Sequence, residues 1–268
     1  MIGALGASNR GSNPRYPIIC WASFLSDRIF FSGFMTKRLF LEDSYLKSCD
    51  TSVVSVNGCE VVLAETVFYA QSGGQPCDAG KVIRGADVFN VLSVRSNGND
   101  VIHVLDKSGL VASDKVRCEI DWEKRYKHMR MHSSAHVLAA ILHQERSALI
   151  TGNQLGVQES RMDFSVKDFD RTYLKGIEDK ANEAIQKDYK ITISFEEREK
   201  ALERKELFRL KDVLPKDIPV FRILSISDFD IQADGGTHVA HTKEIGKIII
   251  TDMKNKGAEN RRIYWKLE

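Results

Sequence analysis

A change of period at Trp122 restricts the fold of this chain more than any other feature. Up to Asp121, short β-branched runs alternate with Gly, Asn and Asp. Residues 52–56 lead into Asn57-Gly58, residues 60–64 follow, residues 87–92 precede Asn97-Gly98-Asn99, and residues 101–104 come next. Asn-Gly between apolar runs is the strongest short-range hairpin signal, so residues 35–121 predict a small β-barrel. Beyond Trp122, residues 123–144 contain neither Gly nor Pro, and residues 137–142 are apolar nearly all round. That pattern is a buried helix. A strand region at residues 155–164 follows, then a second helix marked by Phe169, Tyr173, Ile177, Ala181 and Ile185 at a spacing of four. Next come a strand at 191–195, a charged helix over 199–210, a strand at 220–226, and closing strands at 247–251 and 262–266 around a Lys/Gly/Asn turn. The expected class is α+β: a barrel domain over 35–121, then an α+β domain over 122–268.

The length of 268 residues also suits two domains. A net charge of +2 gives no global field, so any polyanion must be met by local basic patches, and long naked duplex is a poor candidate ligand. The five cysteines, Cys20, Cys49, Cys59, Cys77 and Cys118, form no C-x-x-C pair and fit a reducing cytosol. Any metal site must therefore rest on histidine. Residues 1–34 read as an extension preceding the patterned segment that starts at Met35. The apolar run over 17–25 faintly suggests a signal peptide, but Asp27 and Arg28 interrupt it and it is too short to span a bilayer.

The helix after Trp122 holds two overlapping H-x-x-x-H pairs, His128/His132 and His132/His136. Residues four apart share a helix face, about 5–6 Å between Cβ atoms, close enough to share one cation. His128 lies among Lys124, Arg125, Lys127 and Arg130, a run expected to face solvent or phosphate, whereas His136 opens the apolar segment. A lone pair of this kind is more often a partly buried, hydrogen-bonded histidine couple than a metal site. A second cluster, Asp234-Gly-Gly-Thr-His238, changes that balance. Gly235 and Gly236 allow positive φ and close backbone approach, so the loop could wrap an ion and present N–H groups to an oxyanion. No glutamate follows His132, which disfavours an H-E-x-x-H peptidase. Gly73-Gly74-Gln75 offers exposed backbone donors beside an amide, with an ordinary hairpin bend as the plainer reading.

These segments together resemble the editing domain of alanyl-tRNA synthetase and its freestanding AlaX relatives. The matching stretches are the Gly-Gly-Gln loop within 68–80, the 121–136 segment with both helix histidines, and 230–239 followed by Glu244-Ile-Gly246. The resemblance implies a zinc-dependent aminoacyl-tRNA deacylase that removes serine, and also glycine, from mischarged tRNA(Ala). Its zinc ligands fall on His132, His136 and His238. A further ligand, commonly a cysteine four residues before the last histidine, falls on Asp234, whose carboxylate can also bind zinc. Thr151 matches the family's pocket threonine; beside that resemblance, the backbone N–H groups of Gly73, Gly74, Gly235 and Gly236 are expected to serve the developing oxyanion or the terminal ribose, with the Gln75 amide next to them. Zinc-assisted ester hydrolysis would need no serine–histidine triad. Contacts to tRNA phosphates are expected from Lys124, Arg125, Lys127 and Arg130, and from Lys254, Lys256, Arg261 and Arg262.

With too few flanking residues for a class II synthetase core, the chain is expected to act in trans on aminoacyl-tRNA, in the cytoplasm and away from membranes. Monomer and homodimer both stay open. Two rival readings remain: a non-catalytic tRNA-binding module with a degenerate metal site, and a zinc hydrolase of small aminoacyl esters.

Overall fold

The computed structural model describes residues 35–167, 170–211 and 218–268. The expected extension over 1–34, and Phe169, lie outside them. A short strand, β1 (Lys37–Arg38), precedes β2 (Ser48–Asn57), β3 (Glu60–Leu63), β4 (Glu65–Thr66), β5 (Gly80–Arg84), β6 (Asp87–Asn97), β7 (Asp100–Leu105) and β8 (Lys115–Ile120). Six of these close into a barrel in the order β2-β3-β7-β6-β5-β8, every neighbour antiparallel. Both Asn-Gly signals sit at tight hairpins: Asn57 pairs with Glu60, and Asn97 with Asp100. Inward alternation buries Val53, Val61, Leu63, Val82, Val91, Val94 and Val116 in one core.

The barrel also buries His103, whose ring nitrogens meet Thr66 Oγ1 at 2.8 Å and the Val61 carbonyl at 3.2 Å. Burial lowers this imidazole to about 4, partly offset by the hydrogen bond to Val61. The folded value lies below the ordinary 6.5, so the unfolded chain takes up the proton first. Stability from the neutral ring is therefore complete above pH 6.5 and is lost as pH falls towards 4, amounting to about 3 kcal/mol. Chemical denaturation at about pH 7 and about pH 4.5 is expected to show this loss, and His103→Gln is expected to lose less over the same interval.

The helix α1 (Trp122–Arg146) begins where Asp121 caps it by accepting the Lys124 N–H at 3.1 Å. It runs through the second core, with Met129, Leu138, Ile141 and Leu142 all buried. Against it lies a sheet ordered β14-β15-β10-β9, made from β9 (Ile150–Gln154), β10 (Ser160–Phe164), β14 (Ile248–Gly257) and β15 (Asn260–Leu267). Trp265 on β15 donates to Ser134 Oγ on α1 at 2.8 Å. The edge strand β14 is covered by α2 (Arg171–Gln186): Asn182 Oδ1 and Glu178 Oε2 accept the Ile248 and Ile250 N–H groups at 2.9 and 2.7 Å. A three-stranded sheet, β11 (Ile191–Glu197), β12 (Val220–Ile226) and β13 (Asp230–Ala233), completes the α+β half. No helix among the described residues is long and apolar enough to cross a membrane.

Two sequence expectations are corrected. The strand region at 155–164 is the turn after β9 together with β10. The charged helix expected over 199–210 is only six residues long, α3 (Arg198–Glu203). Beyond it Leu207 is buried with Ala201, Phe221 and Ile223, and the chain extends beside β9, Arg209 O accepting from Ile150 N at 2.8 Å and Lys211 N donating to Ile150 O at 3.0 Å. Packing and backbone pairing override the helix propensity of that stretch.

Candidate metal centre

The helix α1 places His132 and His136 one turn apart on one face, and the loop leaving β13 carries Asp234 and His238 to meet them. Imidazole centroids lie 5.3 Å apart for His132 and His136, 4.4 Å for His132 and His238, and 5.0 Å for His136 and His238. All four residues are buried, and one ligand atom from each lies within 4.8 Å of the others. Asp234 Oδ1 is 3.5 Å from His132 Nε2 and 3.7 Å from His136 Nε2. Tetrahedral zinc with bonds of about 2.1 Å spaces its ligand atoms about 3.4 Å apart, so the donor set fits the ion. Asp234 Oδ1 is buried with no hydrogen-bond partner, a position that a cation would satisfy.

A second layer of side chains sets the orientation of these groups. Gln75 Nε2 donates to Thr237 Oγ1 at 2.9 Å, which turns Gln75 Oε1 towards His132 Nδ1 at 2.8 Å. With its Nδ1 proton held there, His132 directs the Nε2 lone pair at the centre. Ser133 Oγ lies 3.2 Å from His238 Nδ1 and accepts the Val239 N–H at 3.2 Å. Arg222 donates to the Asp234 carbonyl at 3.0 Å and stands 3.6 Å from Asp234 Oδ2. His238 Nε2 lies 2.6 Å from Asp234 Oδ2, and the His238 N–H reaches Ser44 Oγ at 3.3 Å.

Burial drives the His132 imidazole well below its ordinary value, with His238, His136 and Arg222 adding to the effect and Asp234 opposing it. Burial likewise brings His238 to about 4. For Asp234 burial acts in the opposite sense, but electrostatic interaction with His132 and His238, with hydrogen bonding from His136 and His238, holds the carboxyl well below the usual range. A carboxylate beside neutral His132 and His238 imidazoles is the protonation state that a divalent metal requires.

Gly236 lies directly against the His132 ring, where a Cβ would collide with Cε1 and Nδ1. Gly236→Ala is expected to push His132 aside and weaken metal binding by about 10–100-fold, the scale of an overpacking strain, while the fold persists. Metal titration followed by circular dichroism checks both parts.

Two family descriptions match the chain: threonyl and alanyl tRNA synthetase second additional domain over residues 221–264, and class II (A) tRNA synthetases over 35–124. The alanyl-tRNA editing protein AlaX-M of Methanosarcina barkeri is 42% identical over 241 residues, covering 87% of this chain and 99% of that protein. AlaX-M of Saccharolobus solfataricus is 38% identical over 234 residues, covering 86% and 98%. The chain belongs to the AlaX alanyl-tRNA editing family. Alanine–tRNA ligase of Pyrococcus abyssi is 34% identical over 232 residues, which are 84% of this chain but 25% of the ligase.

Several site expectations for this AlaX-family chain need revision. Arg125, expected to contact phosphate, is fully buried: its Nε meets both Asp78 carboxylate oxygens at 3.0 Å, Nη2 also contacts Asp78, and Nη1 donates to the Ser44 carbonyl at 2.9 Å. His128, expected to face solvent, is 2% exposed, and burial lowers its imidazole to about 4. Helix α1 dips into the barrel's loops there, so the basic run does not form one outer face. Arg130 is half-buried on the Ile245 carbonyl, Arg262 is paired to Asp163 at 2.6 and 2.8 Å, and Arg261 is engaged with Asn255 and the Lys167 carbonyl. Lys127, Lys254 and Lys256 are exposed and Lys124 half-exposed.

Neither Gly235 nor Gly236 has positive φ, and the Gly236 N–H is donated to Asp234 Oδ2 at 2.7 Å, so this N–H does not point at substrate. Positive φ falls on Gly73 (54°) and Gly74 (85°), between Ser72 and Gln75, which exchange backbone hydrogen bonds of 3.2 and 2.8 Å. A two-residue turn with both φ values positive is where Gly-Gly is favoured. Gln75, whose amide was expected beside those backbone donors to hold substrate, is fully buried against His132. Thr151 donates its hydroxyl to Asn260 Oδ1 at 3.1 Å, beside an irregularity in the β9–β10 register. Sequence reasoning passed over Ser44, Asp78, Ser133, Arg222 and Thr237. Arg222 had a signal, being a lone charge within the apolar stretch 220–224.

Proposed function

We propose that this chain is a zinc-dependent deacylase acting in trans on mischarged tRNA(Ala), with seryl-tRNA(Ala) as its main substrate and glycyl-tRNA(Ala) as a second. The reading is carried by the buried convergence of His132, His136, His238 and Asp234 in a chain whose relatives match it nearly end to end. The name of those relatives, alanyl-tRNA editing protein, supplies the substrate class. Zinc, when bound, supplies a Lewis acid for the ester carbonyl and a lower pKa for water.

The chain's own residues prepare the site. Gln75 fixes the His132 ring and Ser133 the His238 ring, Arg222 supports the Asp234 carboxylate, and burial keeps His132 and His238 neutral. The Thr151 hydroxyl, its proton given to Asn260, has lone pairs left to accept from a serine side chain. A site that hydrogen-bonds a hydroxyl discriminates strongly against substrates lacking one. Lys124, Lys127, Lys254 and Lys256, exposed or half-exposed, are the cations we assign to tRNA phosphates, a contribution that salt weakens.

The test is release of amino acid from Ser-, Gly- and Ala-tRNA(Ala), with and without chelator. Serine release is expected to stop with chelator and return with zinc, leaving Ala-tRNA(Ala) intact. Tight tRNA binding by zinc-loaded protein that frees no serine would instead identify a binding module. Equal turnover of a seryl ester lacking the tRNA body would identify a small-ester hydrolase.

A further inference from the structure

We infer that Asn153 is a substrate-binding residue, its side-chain amide donating to an oxygen of the aminoacylated ribose end; this rests on the deacylase reading above. Strand register places the side chain. Asn153 pairs with Met162 across β9 and β10, and Met162 pairs with Ile263 across β10 and β15. Paired residues share a sheet face, and both Met162 and Ile263 are fully buried in the core formed with α1, the helix that carries His132 and His136. Asn153 therefore projects towards the metal side of the sheet.

Its amide lies flat on the Gly73-Gly74 turn. A Cβ at Gly74 would strike Asn153 Oδ1 and come within 3.3 Å of Nδ2, and the Gly74 carbonyl accepts the Leu155 N–H at 2.9 Å to hold strand and turn together. The next residue, Gln75, is the one that grips His132. Asn153 thus touches the residue next to the group that orients a metal ligand.

The residue as a whole is only partly buried, yet Nδ2 is shut off from solvent and has no hydrogen-bond partner. A buried amide donor left unpaired is costly, and native structures keep few of them. An acceptor oxygen from a bound ligand would satisfy this one. Two classes of oxygen at an aminoacyl end have that chemistry: the hydroxyl of a seryl group, and the ester or ribose oxygens common to every substrate.

The variants Asn153→Leu and Asn153→Asp, each close to asparagine in size and lacking the donor, are compared with wild type on Ser- and Gly-tRNA(Ala), with zinc content and melting temperature measured in parallel. We expect kcat/KM to fall about ten-fold, the scale of one lost hydrogen bond, with zinc content unchanged. In Asn153→Leu the melting temperature is expected to hold or rise, because an unsatisfied amide has been removed. Loss confined to the seryl substrate assigns the contact to its hydroxyl; equal loss on both assigns it to an ester or ribose oxygen. Unchanged turnover by both variants beside an active wild type overturns the inference alone. A drop in activity that tracks loss of zinc or of melting temperature also overturns it, by revealing a structural role. A zinc-loaded wild type inactive on both substrates overturns the deacylase reading beneath it.

Discussion

His132→Ala is expected to strip zinc from the protein and reduce release of serine from Ser-tRNA(Ala) to background. Four-ligand zinc sites bind with about 10–16 kcal/mol, so deleting one ligand in four removes about 3–4 kcal/mol, a few hundred-fold in affinity. The loss is steeper here because His132 is also the ring that Gln75 holds and Gly236 backs. Zinc content by mass spectrometry, read beside single-turnover deacylation, checks the assignment. A variant that kept stoichiometric zinc and wild-type turnover would remove His132 from the ligand set.

The second large effect concerns stability. Arg125→Met is expected to destabilise the fold by about 3–5 kcal/mol, because it leaves the Asp78 carboxylate buried without its partner. For a chain of this size that is about 10 °C in melting temperature. The double variant Arg125→Met with Asp78→Leu should recover much of the loss, since replacing both members of a buried pair by apolar groups removes the desolvation cost together with the attraction. Thermal unfolding monitored by circular dichroism distinguishes these outcomes. An unchanged melting temperature in the single variant would return Arg125 to the surface role first read from its neighbours.

What the sequence revealed and what it hid follow from the range of the interactions involved. Hairpins at Asn57-Gly58 and at Asn97-Gly98-Asn99 are local: the turn residues and the runs beside them hold the information, and barrel strands form there. The buried helix over 123–144 was equally plain, because the absence of Gly and Pro and an apolar run suffice. The histidine cluster could be read because His132 and His136 share a face by helical geometry, and the Gly-Gly loop supplied the distant partner. Arg125 and His128 misled because charge density predicts a solvated face only where nothing packs on it, and here loops of the barrel do. Gly236 was read for positive φ and for close backbone approach, and the structure uses the second alone, its missing Cβ leaving room for the His132 ring. Asn153 and Ser133 gave no signal, since their significance comes from register and tertiary approach.

The attachment of the His238 loop to the amino-terminal half carries a last consequence. Ser44 receives the His238 N–H, Leu41 receives Arg222, and Gln75 grips His132, although every proposed ligand lies after Trp122. A fragment starting at that helix would hold all four ligands and lack the scaffolding that aims them. A carboxy-terminal half transplanted alone would therefore lose the three contacts that hold His132, Arg222 and the His238 loop in place.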